Sequence, residues 1–427
     1  MSADETPASP SLRVRLQGAL GRELPAESRP LRIAILAYLG HLICEGWIGS
    51  SQFFLGVAII AAGVAVWKGE LRVPFHPLYL PLALFVAASF LSALASFRPL
   101  YSLWDAREWF AFLTLPLALS LYARSPGVTR LATSAFIVLA LMQSLVAMIQ
   151  YFLLGHDALE QRITGTTSHV MTFSGIVLPL SLIFVSFTIS RPRRLFAIGA
   201  AATMLALALS FTRGAWIGWF AGLAFLVLLR RPRITFLLIP LLLWALILSP
   251  LPLFARLVSS FDFKQTSVLD RIRMIEAGRE MIRDHPLLGV GPGNVKEVYP
   301  LYRRPDAPRF RIPHLHNNLV QLWAERGLLA LGSYLALLTV FLRSAWLRRR
   351  EGGSARIWAE GGIAATIGLF VAGLFEFNFG DTEVLLTRLD LWALALSAGS
   401  PEKGPAVAGI GAVPPPANRS AVEAVPV

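Results

Sequence analysis

The chain has 427 residues, of which 55% are hydrophobic and only 15% charged, against about 25% charged residues in soluble domains. Its mean hydropathy is +0.60 and its apolar residues fall in runs near the ~20 residues a bilayer requires, which excludes a water-soluble enzyme. The net charge of +13 does not mark a nucleic-acid binder, because the arginines sit in short clusters between apolar runs, as orientation signals do in membrane proteins.

Residues 1–31 are polar and contain no short apolar stretch ending in a small-residue cleavage site, so the first span is expected to act as the insertion signal. Spans are expected near 32–48, 52–67, 77–97, 109–122, 131–154, 171–189, 195–211, 214–229, 234–250, 317–342, 357–377 and 383–399, the fourth being short. The predicted fold class is all-α: a polytopic transmembrane helix bundle of about twelve spans with one large, partly helical loop between spans nine and ten. The expected layout is a cytoplasmic segment 1–31, spans one to nine in 32–250, a periplasmic loop 251–315, spans ten to twelve in 316–399, and a cytoplasmic tail 400–427. That tail is rich in Pro, Gly, Ala and Val and is expected to be disordered. Nothing repeats at a solenoid period. The single cysteine, Cys44, permits neither an intrachain disulfide nor a CxxC metal site and reads as a packing residue.

Lys and Arg in the short loops set the orientation. Alternate connections hold Arg29 and Arg32, Lys68 and Arg72, Arg124 and Arg130, Arg191 to Arg194, Arg230 to Arg233, and Arg343 to Arg350. That side is expected to be cytoplasmic, with both termini on it. The remaining polar loops, 98–107, 156–169, the turn at 212–214, 251–315 and 376–383, then share the outer face.

Three stretches on that face carry candidate chemistry. Arg213 lies in Ser210-Phe211-Thr212-Arg213-Gly214, where an arginine at the membrane boundary either snorkels to lipid phosphate or binds an anion through its two parallel donors. Residues 270–284 approximate an amphipathic helix, with 272, 275, 282 and part of 278–281 as its apolar side. Arg271, Arg273, Arg279 and Arg283 on it suit a solvated face, and the tight loop GVGPGN that follows is a weak signal for a nucleotide. His314 and His316 precede the tenth span. Histidine is readily poised as a general base near neutral pH. A metal is not expected, since no HExxH or nearby Cys completes a ligand set. Asn317, Gln321 and Glu325 follow at four-residue steps and line one helical face below His316.

The stretch His316–Leu331 (HNNLVQLWAERGLLAL) resembles the histidine-bearing motif of the O-antigen ligase and polymerase superfamily. Ser210–Gly214 is similar to its Ser-x-Thr-Arg-Gly turn, Arg271–Asn294 to its outer-loop helix and HPLLGVGPGN, Arg162–Thr166 to its earlier glycine motif, and Phe375–Val384 (FEFNFGDTEV) to the turn before its last span. The resemblance covers roughly Gln150 to Gly399, and the N-terminal third matches in hydropathy alone. It implies a nucleotide-independent glycosyltransferase of the bacterial inner membrane, with its site on the periplasmic side. The implied donor is a glycan on polyprenyl pyrophosphate, and a ligase's acceptor is lipid A–core. It assigns Arg213 and Arg271 to the pyrophosphate, with Arg273 and Arg309 as neighbours, and His316 as the base; Asn317, Gln321 and Glu325 are added as substrate-binding positions. No cofactor is expected, nor a nucleic-acid partner; membrane lipids are. A single displacement with inversion fits the lack of an obvious glycosidase-like carboxylate pair. The alternatives are a polymerase or protein-directed transferase of the same superfamily, a secondary transporter, and an envelope scaffold. The dissimilar halves and the clustering of ionisable groups at one face argue against the transporter.

Overall fold

The computed structural model describes residues 28–157, 161–230 and 266–399. The described residues form helices and no strand; their one β contact is an isolated bridge between Asp157 and Arg162. In chain order the helices are α1 (Arg29–Ile43), α2 (Ile48–Trp67), α3 (Tyr79–Ala95), α4 (Pro99–Asp105), a 3₁₀ segment (Ala106–Leu113), α5 (Thr114–Arg124), α6 (Pro126–Phe152), α7 (Val170–Ser190), α8 (Arg194–Leu209) and α9 (Arg213–Arg230). After the undescribed stretch come α10 (Thr266–Asp284), α11 (Val295–Tyr302), α12 (Asn318–Arg348), α13 (Gly353–Ala372) and α14 (Thr382–Ser397).

The all-α polytopic expectation holds. Six helices, α2, α6, α7, α9, α12 and α13, are long and apolar enough to cross a membrane, and α3 and α8 are shorter apolar helices. This does not establish a count of twelve. The ninth expected span, 234–250, lies outside the described residues, as do 251–265 of the outer loop, most of the N-terminal segment and the tail 400–427. The fourth expected span is the 3₁₀ segment followed by the eleven-residue α5.

Starts follow local sequence. Ser125 caps α6 by accepting from Gly127 N at 3.2 Å, with Pro126 in the first position, where its missing N–H costs nothing. The almost wholly buried α7 is the axis of the bundle. Helix α9 lies against α13 along Gly214, Gly218 and Gly222. A Cβ at Gly218 would stand 2.3 Å from the Gly368 carbonyl, and one at Gly222 2.7 Å from that of Ala364. Small residues at four-residue spacing let two membrane helices approach this closely. That contact hangs Arg213 over the turn that leaves α13. Large apolar side chains such as Phe53, Ile60, Leu145 and Leu228 are exposed on the outside of the bundle, as lipid-facing residues are.

Inside the bundle, α1 and α14 are joined by polar contacts. Tyr38 donates to Asp390 at 2.6 Å, His41 Nε2 meets the other Asp390 oxygen at 3.1 Å, and Thr387 donates to Glu45 at 2.5 Å. At the end of the bundle away from His316, the fully buried Glu360 is held by Arg230 (2.5 Å), Arg349 (3.0 Å) and Arg356 (2.8 Å). Arg230 and Arg349 read in the sequence only as orientation signals; they also neutralise a buried carboxylate.

Candidate active site

The histidine segment is fastened to the turn after α13. Asn317 caps α12, accepting from the amides of Leu319 and Val320 at 3.0 Å each, and donates to Leu374 O at 2.9 Å. Asn318 N donates to Gly373 O at 2.7 Å, and its side chain bonds Asn378 (2.7 Å) and Phe379 N (3.1 Å). The motifs His-Asn-Asn and Phe-Glu-Phe-Asn are therefore the two halves of one clasp. Closing it sets the Glu376 carboxylate on His316 Nδ1 at 2.9 and 3.0 Å.

His316 itself has φ +50°, and Phe211, two residues before Arg213, has φ +51°; among the described residues they are the only non-glycines with positive φ. Such conformations cost of order 1–3 kcal/mol and persist where surrounding contacts hold them. Here they mark the two turns that deliver the candidate arginine and the candidate base.

The long α12 is broken at Gly327 (φ +78°). The backbone groups freed by the break are taken up by the loop after α10. Val290 N bonds Ala324 O at 2.9 Å, Gly291 N bonds Glu325 O at 2.8 Å, and Leu328 N donates to Pro286 O at 3.0 Å. A Cβ on Gly327 would lie 2.0 Å from Leu287 O, so the position has no room for a side chain. The stretch HPLLGVGPGN thus serves as a splint for a broken helix. Outer helix α10 packs through Met274, Ala277, Gly278 and Met281 onto Leu315 and Val320. Ile272, expected on its apolar side, is instead exposed, because the buried stripe follows the small residues 277 and 278, where the helices come closest.

These pieces surround a cavity of about 660 Å³ lined by Arg162, Arg271, His314, His316, Gln321, Glu325 and Glu376, with Lys296, Arg309 and Arg326 also on its wall. A small recess of about 50 Å³ shares Arg162, Arg271 and Glu376 with it and adds Arg213 at the start of α9. Arg162, Arg213 and Arg271 thus converge, beside a helix N-terminus whose partial positive charge also favours an anion. Gln321 accepts from Leu315 N at 2.8 Å and donates to Glu325, which also accepts from Gly293 N at 3.2 Å. Arg309 pairs with Asp270 at 3.0 Å. Arg273 does not line the cavity; it is paired with Glu276 (2.8 Å) and Asp306 (2.5 Å). Asn317 is occupied by its capping and clasp bonds.

Burial, outweighing the nearby Glu376 carboxylate, lowers His314 to about 4, with the charges of His316, His169 and Arg271 adding to the effect. Burial alone would raise Glu376. Its hydrogen bond with His316, the charges of both histidines and the Phe377 amide prevail and hold it below the ordinary carboxylate value. Ligand atoms of His314, His316 and Glu376 lie within 4.8 Å of one another, as do those of His41, Glu45 and Asp390, so either trio could hold a divalent cation. Glu376 supplies the third ligand atom that the sequence did not reveal beside the two histidines. Its sequence signal was an acidic residue in the polar turn 376–383. Arg162 stood in a recognised motif without being singled out for the anion.

Residues 196–335, which carry Arg213, Arg271 and His316, match the family model described as O-antigen ligase. No curated protein matches the chain. The chain is a polytopic membrane protein with an O-antigen ligase family domain at residues 196–335.

Proposed function

We propose that the chain is an O-antigen ligase, moving a glycan from polyprenyl pyrophosphate to lipid A–core at the periplasmic face of the bacterial inner membrane. The observation that carries the reading is His316 hydrogen-bonded to Glu376 in a cavity that continues into the recess where Arg162, Arg213 and Arg271 meet. Glu376, as a carboxylate, accepts from Nδ1–H, which fixes the tautomer and leaves Nε2 as the proton acceptor. An acceptor hydroxyl attacks the anomeric carbon and gives its proton to Nε2. The bond from that carbon to the pyrophosphate oxygen breaks, and the leaving oxygen keeps the electron pair. The converging arginines hold the charge that develops there, and preorganised donors in a partly dehydrated site stabilise it better than water does. One attack from the far side inverts the anomeric centre. The arginines of this chain carry the charge, and the step needs no metal.

The test uses purified protein, a synthetic polyprenyl-pyrophosphate glycan and lipid A–core, with chelator present throughout. A new glycosidic linkage is expected, lost in His316→Ala and kept in His314→Ala. Full inhibition by chelator would turn the histidine–glutamate trio into a metal centre. Glycan added only to another lipid-linked repeat would identify a polymerase. No linkage with any acceptor, but movement of donor across vesicles, would leave a transporter.

A further inference from the structure

A second and larger cavity, about 1110 Å³, lies at the end of the bundle opposite His316. It exceeds the ~300–1,000 Å³ of most small-molecule sites. Its mouth is formed where α5 ends, α6 begins, α7 turns into α8 and α12 ends. Each of these junctions contributes an arginine: Arg124, Arg130, Arg193 and Arg348. The first three are exposed. Arg348 reaches Glu351 at 3.2 Å and the Ala398 carbonyl at 3.0 Å. No carboxylate is among the described residues that line the cavity. Deeper in, the walls turn apolar, with Phe136, Ile183, Phe184, Phe187, Trp358 and Leu391. A basic rim over an apolar interior, between membrane helices, matches one class of occupant: a phosphate headgroup above acyl chains. A free phosphate would leave the apolar walls unused, and a zwitterionic lipid would bring a cation to the arginines.

We propose that this cavity is a binding site for an anionic phospholipid of the leaflet opposite the candidate active site, seated with its phosphate on Arg124, Arg130, Arg193 and Arg348. The assignment of that leaflet as cytoplasmic rests on the orientation used in the proposed function; the binding itself does not. A bound lipid would fill the space between α6, α8 and α13 and hold their ends together.

Native mass spectrometry of the full chain, titrated separately with phosphatidylglycerol and phosphatidylethanolamine, tests the proposal without measuring glycan transfer. Selective retention of phosphatidylglycerol is expected. At about 1 kcal/mol for each basic residue facing an anionic headgroup, Arg130→Gln with Arg193→Gln should weaken it about 30-fold. Arg130→Lys with Arg193→Lys keeps the charge and should retain most of the binding, which separates lost charge from lost folding. Ser134→Trp, at the exposed mouth, should block the lipid while leaving all four arginines in place. Equal retention of both lipids, or equal retention by wild type and Gln variant, would show ordinary annular lipid and overturn the site. So would a photocrosslinker at position 134 that reaches residues 400–427 of the same chain in place of lipid. Lipid selectivity intact in a protein that transfers no glycan would defeat the proposed function and leave this site standing.

Discussion

Replacing Glu376 by Gln tests the geometry most directly, because it removes one charge and almost no volume. Glu376 and His316 meet at 2.9 Å with side chains 14% and 18% exposed, so the pair is screened but not sealed. Two unit charges ~4 Å apart interact by about 4 kcal/mol at an effective dielectric near 20. The cavity mouth admits water, and roughly half of that, about 2 kcal/mol, is a fair share for the charge as the imidazole takes up its proton. This corresponds to about 30-fold in kcat. The amide can also donate to Nδ1 and favour the wrong tautomer, for about another tenfold. The expected loss is ~10²–10³-fold, within what a positioned base contributes. In the reconstituted transfer assay kcat should fall by that factor while the KM for the donor stays put, since the arginines are untouched. Glu376→Asp should recover part of the rate. A full-rate Gln variant, or one whose defect lies wholly in the donor KM, would refute the positioning role.

Arg213→Lys and Arg271→Lys are each expected to lose about tenfold or more in transfer, because a compact ammonium cannot reproduce the two parallel bonds of a guanidinium; wild-type rates at normal protein level would favour a lipid anchor at Arg213. Gly218→Leu drives a side chain into the Gly368 carbonyl and should cost about 1–3 kcal/mol, read as a lower Tm, with α9 and hence Arg213 displaced; an unchanged Tm would mean that the α9–α13 contact is loose. His314 is lowered to about 4 in the folded protein from 6.5. The unfolded chain therefore binds more protons between these values, and stability should fall as pH drops from about 6.5 to 4, by an upper value of about 3 kcal/mol. Glu376, held low, adds a loss at the acid end as it protonates. His314→Asn should flatten the part above pH 5 in thermal melts; an unaltered pH dependence would contradict the burial argument. Reporter fusions after Pro292 and after Ser400 should report opposite sides of the membrane, as the alternating arginines require.

The bundle was legible because bilayer spans write themselves as apolar runs, and α2, α6, α7, α9, α12 and α13 coincide with such runs. Gly327 was less so. In the sequence it is one glycine within an apolar stretch, and its break shows only when the partner loop at 286–291 is in place. The site divides in the same way. Arg213 and His316 stand beside spans, where a lone charged or titratable residue is costly and therefore conspicuous. Glu376 belongs to the site only because Asn317 and Asn318 bond to the turn at 373–379, sixty residues away, and no periodicity encodes that. Arg273 sits on the same helix as Arg271, yet the ion pairs with Glu276 and Asp306 turn it elsewhere. A helical rotation of two residues separates them, which a charge-rich sequence does not advertise.

The contacts between α1 and α14 bear on how the chain is made. His41 finds its carboxylate 349 residues later, on the last helix. At about 5–20 residues per second of synthesis, the first helix waits on the order of 20–70 s with His41, Glu45 and Tyr38 lacking these partners. A ribosome that stalls before Thr382 leaves Glu45 without the Thr387 hydroxyl, and leaves Tyr38 and His41 with only Tyr122 and Ser51 as partners, in a bilayer where an ionisable group is costly. The nascent protein then carries a tag of its own incompleteness, open to membrane proteases and chaperones until Asp390 arrives to cover it.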